Sequence, residues 1–134
     1  MIDVLSLFNK RKECEYLKLK DIKIGTLFTY CTNKSRYVFI KYADHIVKDS
    51  RTDPPNIIPL NGRSVGHHCV AYSDIDVIDI CELNEEDIPF INCFHKKTAS
   101  KFDENTLKEI SEYIYRKYIL EEKAKIPDIY FDIV

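Results

Sequence analysis

The sequence predicts an α+β protein: a small, strongly bent antiparallel sheet or SH3-like partly open barrel, finished by a C-terminal amphipathic helix. Three observations carry this expectation. Residues 36–42 form a dense run of β-branched and aromatic side chains, and residues 69–81 form a second long β-rich segment. Leu107, Ile110, Ile114 and Tyr118 then fall three and four apart, which makes one apolar face of a helix. The length of 134 residues fits a single domain. Its divisions are a β-rich part over about 17–81, a connecting segment 82–102, a helix over about 103–125 and a docked tail 126–134.

Taken in order, Val4 to Cys14 read as a short helix with a basic last turn, Lys10, Arg11 and Lys12. Leu17, Leu19, Ile22 and Ile24 alternate with charged residues. Gly25 then introduces the β-prone run 26–31, and the polar residues 32–35 turn the chain into 36–42, so the two runs read as an antiparallel hairpin. Asp53-Pro54-Pro55 excludes a central strand there, because proline lacks the ladder donor. Residues 57–60 suit a short edge strand, and Asn61-Gly62 is a turn signal. Within 69–81 the apolar period slips at Val77-Ile78, which predicts a bulge or bend. Asp103 is the expected N-cap of the helix, Glu112 and Arg116 sit one turn apart, and Pro127 ends the pattern. The apolar, β-prone tail should dock rather than expose its large side chains.

Composition narrows the function classes. The mixture of 45% apolar and 31% charged residues is that of a globular chain, and no run approaches the length of a membrane span. The N-terminus does not read as a signal peptide, and five irregularly spaced cysteines favour a reducing, cytoplasmic setting, the infected cell of a virus included. Residues 1–52 carry 11 Lys and Arg against 6 Asp and Glu, whereas 53–134 carry 9 against 16. Such a split can mark a partner surface, although it lacks the basic excess of a nonspecific nucleic-acid binder. Heavy use of isoleucine, lysine and tyrosine suggests an A+T-rich genome, such as those of many phages and low-GC bacteria, and a phage or mobile-element origin would fit the small size.

Chemistry concentrates in residues 61–68, Asn-Gly-Arg-Ser-Val-Gly-His-His. Arg63, Ser64, His67 and His68 are the candidate ligand-binding residues. A guanidinium fork suits phosphate or carboxylate, and the glycines would let backbone donors approach a ligand. Neither a P-loop nor a Rossmann fingerprint is present. His67, His68 and His45 are secondary candidates for acid–base catalysis, as in a small metal-independent ribonuclease, with Arg63 or Lys41 stabilising charge. His67, Cys93 and His95 are secondary metal candidates, Cys93 and His95 sharing a face if both lie on one strand, but no close Cys pair supports zinc. No cofactor is expected. Aromatic residues Tyr30, Tyr37, Phe39 and Tyr42 beside Lys34, Arg36 and Lys41 could stack single-stranded nucleic acid.

Tyr113, Tyr115 and Tyr118 make the helix aromatic nearly all round, and with Arg36 and Lys41 they form the candidate interaction surface. The leading expectation is therefore a noncatalytic accessory or regulatory protein that binds a macromolecular partner. That partner would be another protein first, with self-association as a further option, and inhibition is one form the regulation could take. A phosphorylated small molecule held by the 61–68 loop is the alternative, and the ribonuclease the third.

Overall fold

The computed structural model describes residues 17–31, 37–46, 53–95 and 104–133. Five antiparallel strands form one sheet: β1 (Leu17–Lys18), β2 (Thr26–Tyr30), β3 (Phe39–Lys41), β4 (Ile57–Pro59) and β5 (Asp76–Glu82). Their spatial order is β1-β5-β2-β3-β4, and the sheet is not closed into a barrel. Among the described residues three helices follow, α1 (Pro89–Phe94), α2 (Glu104–Tyr118) and α3 (Tyr130–Ile133). The molecule is therefore α+β, as expected.

The hairpin forms as predicted, with Leu27 opposite Ile40 and Phe28 opposite Phe39. β4 lies at an edge, beside β3, with Ile58 opposite Ile40. Side chains alternate across β2, β3 and β4, so the sheet divides two cores. Leu27, Ile40 and Ile58 join the helix-side cluster with Phe90, Phe94, Leu107, Ile110 and Ile114. Phe28 and Ile57 join the opposite cluster with Leu19, Ile22 and Val77, and Phe39 packs against it. Burying one such aliphatic or aromatic side chain contributes about 1.5–3 kcal/mol, so both clusters hold the sheet.

Several expectations change. The bulge falls at Ile80 rather than at Val77-Ile78, because Leu27 faces Cys81 while Phe28 faces Asp79. The extra residue lets Ile80 and Cys81 both pack toward the helices, which strict alternation would forbid. Of the segment 69–81, Cys69 makes only an isolated bridge to Ile57, and the regular strand begins at Asp76. The 17–24 segment leaves the sheet after two residues and winds into a short 3-10 turn, Leu19–Asp21. Pro89 opens α1 inside what reads as a connecting segment; its fixed φ suits a first helical position. Cys93 and His95 consequently lie on a helix and its C-cap, not on a strand.

The helix face of Leu107, Ile110, Ile114 and Tyr118 is buried as predicted, but α2 stops at Tyr118 rather than near residue 125. The amides of Leu120 and Glu122 reach back to the carbonyls of Tyr115 and Arg116 at 3.2 and 2.9 Å, and Glu121 turns to φ 56. Glu112 meets Lys108 at 4.0 Å rather than Arg116. In the tail, Ile129, Tyr130 and Ile133 pack against the helix-side core as one helical turn, while Phe131 remains 71% exposed. The predicted N-terminal helix, the N-cap Asp103 and Arg36 lie outside the described residues.

Candidate interaction site

The loop after β4 is held from both sides. Asn61 accepts the Val38 amide on its side-chain oxygen at 2.9 Å, which ties the loop to the start of β3. Gly62 adopts φ 86, and a β-carbon there would stand 2.6 Å from the Tyr37 ring. Gly66 adopts φ 80, and a β-carbon would stand 2.9 Å from the Lys108 backbone. The glycines thus allow close approach to Tyr37 and to α2. The amides of Val65, Gly66 and His67 are spent on the carbonyls of Gly62, Pro59 and Ser64 at 3.4, 3.0 and 2.9 Å.

This packing separates the four residues expected to act together. Arg63 and Ser64 stand at the exposed tip and wall a depression of about 220 Å³ with Tyr37, Phe39, Pro59, Asn61 and Cys69. Its floor is firm, because Phe39 packs on Tyr30 at 4.8 Å and on Phe28 at 5.7 Å between ring centres. Burial raises the pKa of the Cys69 thiol, so it stays protonated at neutral pH and adds an apolar wall. Arg63 forms no ion pair with any described residue. His67 is exposed and lies off this depression. His68 turns away, its Nε2 2.6 Å from the Phe94 carbonyl. A carbonyl only accepts, so Nε2 carries the proton and Nδ1 is the basic nitrogen.

The remaining histidines fall into two other groups. His45 places Nε2 2.9 Å from the Asp53 carboxylate with both side chains buried, packs edge-on against Tyr72, and keeps a buried Nδ1 with no hydrogen-bond partner among the described residues. His68 and His95 both meet the ring of Tyr42 edge-on, at 5.8 and 5.4 Å between centres. His45 and His68 therefore sit among different neighbours. Cys93 is fully buried in the helix-side core, whereas His67 is exposed. Among the described residues no group of three His, Cys, Asp or Glu side chains could hold a metal ion.

The residues expected to form the interaction surface are mostly internal. Lys41 is 2% exposed; its ammonium donates to the carbonyls of Leu19 and Ile22 at 3.0 and 2.9 Å and pairs with Asp44 at 3.1 Å. Those three acceptors replace the water that a buried ammonium loses. Tyr113 and Tyr118 are buried, with their hydroxyls on Asp87 at 2.9 and 2.5 Å. Lys117 completes that cluster at 2.7 Å from Asp87 and 3.1 Å from Glu86. The helix tyrosines therefore fasten the 3-10 turn Glu85–Asp87 to α2. Burial and then the Asp87 hydrogen bond push the Tyr118 hydroxyl well above the ordinary tyrosine range. Only Tyr115 of the three is half-exposed.

The proposed nucleic-acid platform is likewise taken apart by the pleat. Tyr42 is buried on the helix side, Tyr30 and Phe39 pack on each other, and Tyr37 alone of the four is exposed. No family model, curated protein or solved structure matches the chain.

Proposed function

We propose that this is a noncatalytic binding protein whose contact point with a protein partner is the depression over Tyr37, Phe39 and Pro59. The carrying observation is Arg63: an exposed guanidinium without an ion-pair partner among the described residues, at the rim of an apolar concavity. Tyrosine and arginine around a small pocket are the residue types that dominate binding energy at protein interfaces. A volume of about 220 Å³ suits one large side chain of a partner better than a whole nucleotide. A phosphate-binding reading of the same loop has less support, because its consecutive amides from Val65 to His67 already serve internal carbonyls. Such a protein would regulate or inhibit its partner by occupying a surface, and it would need no catalytic group.

The test is cross-linking in the cells that naturally make the protein. Tyr37→p-benzoylphenylalanine keeps an aromatic ring over Gly62 and adds a photoreactive ketone. The reading expects a discrete protein adduct that Arg63→Ala abolishes. The same adduct formed equally from position 23, beyond the depression, would contradict it.

A further inference from the structure

We infer that the partner segment is acidic at two positions, and that its footprint crosses the 61–66 loop into a second depression on α2. This rests on the reading of the first depression and extends it. The second depression, of about 290 Å³, is walled by Leu60, Val65, Tyr115 and Leu120 and rimmed by Arg116. Asn61 lines both depressions, so the two flank one loop and share a boundary. The loop between them is pinned: a β-carbon on Gly62 would meet Tyr37, and one on Gly66 would meet the α2 backbone. Two preformed concavities are thus held in fixed relation, which lowers the ordering cost of binding.

Charge identifies the occupant. Neither Arg63 nor Arg116 forms an ion pair with a described residue, and each borders an apolar wall. Glu112 also lines the second depression, with the Lys108 ammonium 4.0 Å away. A guanidinium beside a greasy surface favours a carboxylate, which its planar fork can grip at two points. A partner with an apolar anchor between two acidic residues would satisfy both rims at once. Capture as an added strand at the edge is disfavoured, because β4 ends in Pro59, which has no amide to donate, and Ile57 already bridges Cys69.

The test selects binders to the full chain from a random peptide display library and then measures their affinity for variants. The expected consensus has one large apolar residue flanked by two acidic ones. Arg63→Ala and Arg116→Ala should each weaken the selected peptides about ten-fold, Arg116→Lys should restore part of the loss, and added salt should weaken binding to the wild type. Peptides that depend on Arg63 but are indifferent to Arg116→Ala would overturn the two-site footprint and leave the first depression standing. No selected peptides, or peptides indifferent to both arginines, would overturn both. A concentration-dependent dimer broken by Arg116→Glu would make a second copy the occupant and also overturn the inference.

Discussion

The ring of Tyr37 lies so close to Gly62 that a β-carbon on that glycine would stand 2.6 Å from its Cε1. The lead-in to β3 and the loop are therefore not merely adjacent: the exposed aromatic of the candidate site is seated on a residue that has to lack a side chain. Gly62→Ala should cost about 1–3 kcal/mol, because φ 86 is strained for alanine and the ring has to move. Thermal unfolding would show the loss. If alanine is tolerated without a change in melting temperature, the ring is not seated as described.

Lys41→Met should be destabilising and should leave partner binding intact. The side chain lies inside, and its removal leaves the Leu19 and Ile22 carbonyls without the ammonium they accept from. The expected cost is on the order of 2 kcal/mol, read from denaturant midpoints. A surface role would give the reverse pattern, unchanged stability with weaker binding.

Asp87→Asn should loosen the join between the 3-10 turn and α2. The carboxylate serves the Tyr113 and Tyr118 hydroxyls and the Lys117 ammonium at once, so the expected loss is about 3 kcal/mol. Alkaline pH should act on the buried tyrosine hydroxyls in the same direction. Burial raises the hydroxyl of Tyr30 to about 12, and burial with the Asp87 bond raises those of Tyr113 and Tyr118. A raised pKa means that the unfolded chain releases its proton first. Stability should then be level below the ordinary tyrosine value of 10.0 and fall as pH rises above it. Tyrosinate absorbance followed with circular dichroism checks this: ionisation of these groups should coincide with unfolding.

How much of this was legible beforehand depends on the range of the contact involved. The β2–β3 hairpin and the buried face of α2 are local patterns of period two and three to four, and the residues themselves display them. The 3-10 turn at Leu19 and the short helix after Pro89 were hidden, because each is too brief for a period to show. Gly62 reads as a turn, but its neighbour Tyr37 lies 25 positions earlier, and nothing local announces that meeting. Lys41 and the tyrosines of α2 look like surface chemistry until their acceptors, Leu19, Ile22 and Asp87, are placed around them. Of the loop expected to act as a unit, Arg63 and Ser64 remain at the candidate site, while His67 and His68 are directed elsewhere. Glu112 and Arg116 stand one turn apart on spacing alone, and Lys108 is the cation that the structure places 4.0 Å from that carboxylate.

The most direct measurement compares Arg63→Ala with wild type in two assays on the same preparation: thermal unfolding, and binding to the partner cross-linked through position 37. Arg63 is exposed and forms no ion pair with a described residue, so stability should change by less than about 0.5 kcal/mol. Binding should weaken at least about ten-fold, roughly 1.4 kcal/mol. Undiminished binding, or a loss of binding matched by a loss of stability, would contradict the account.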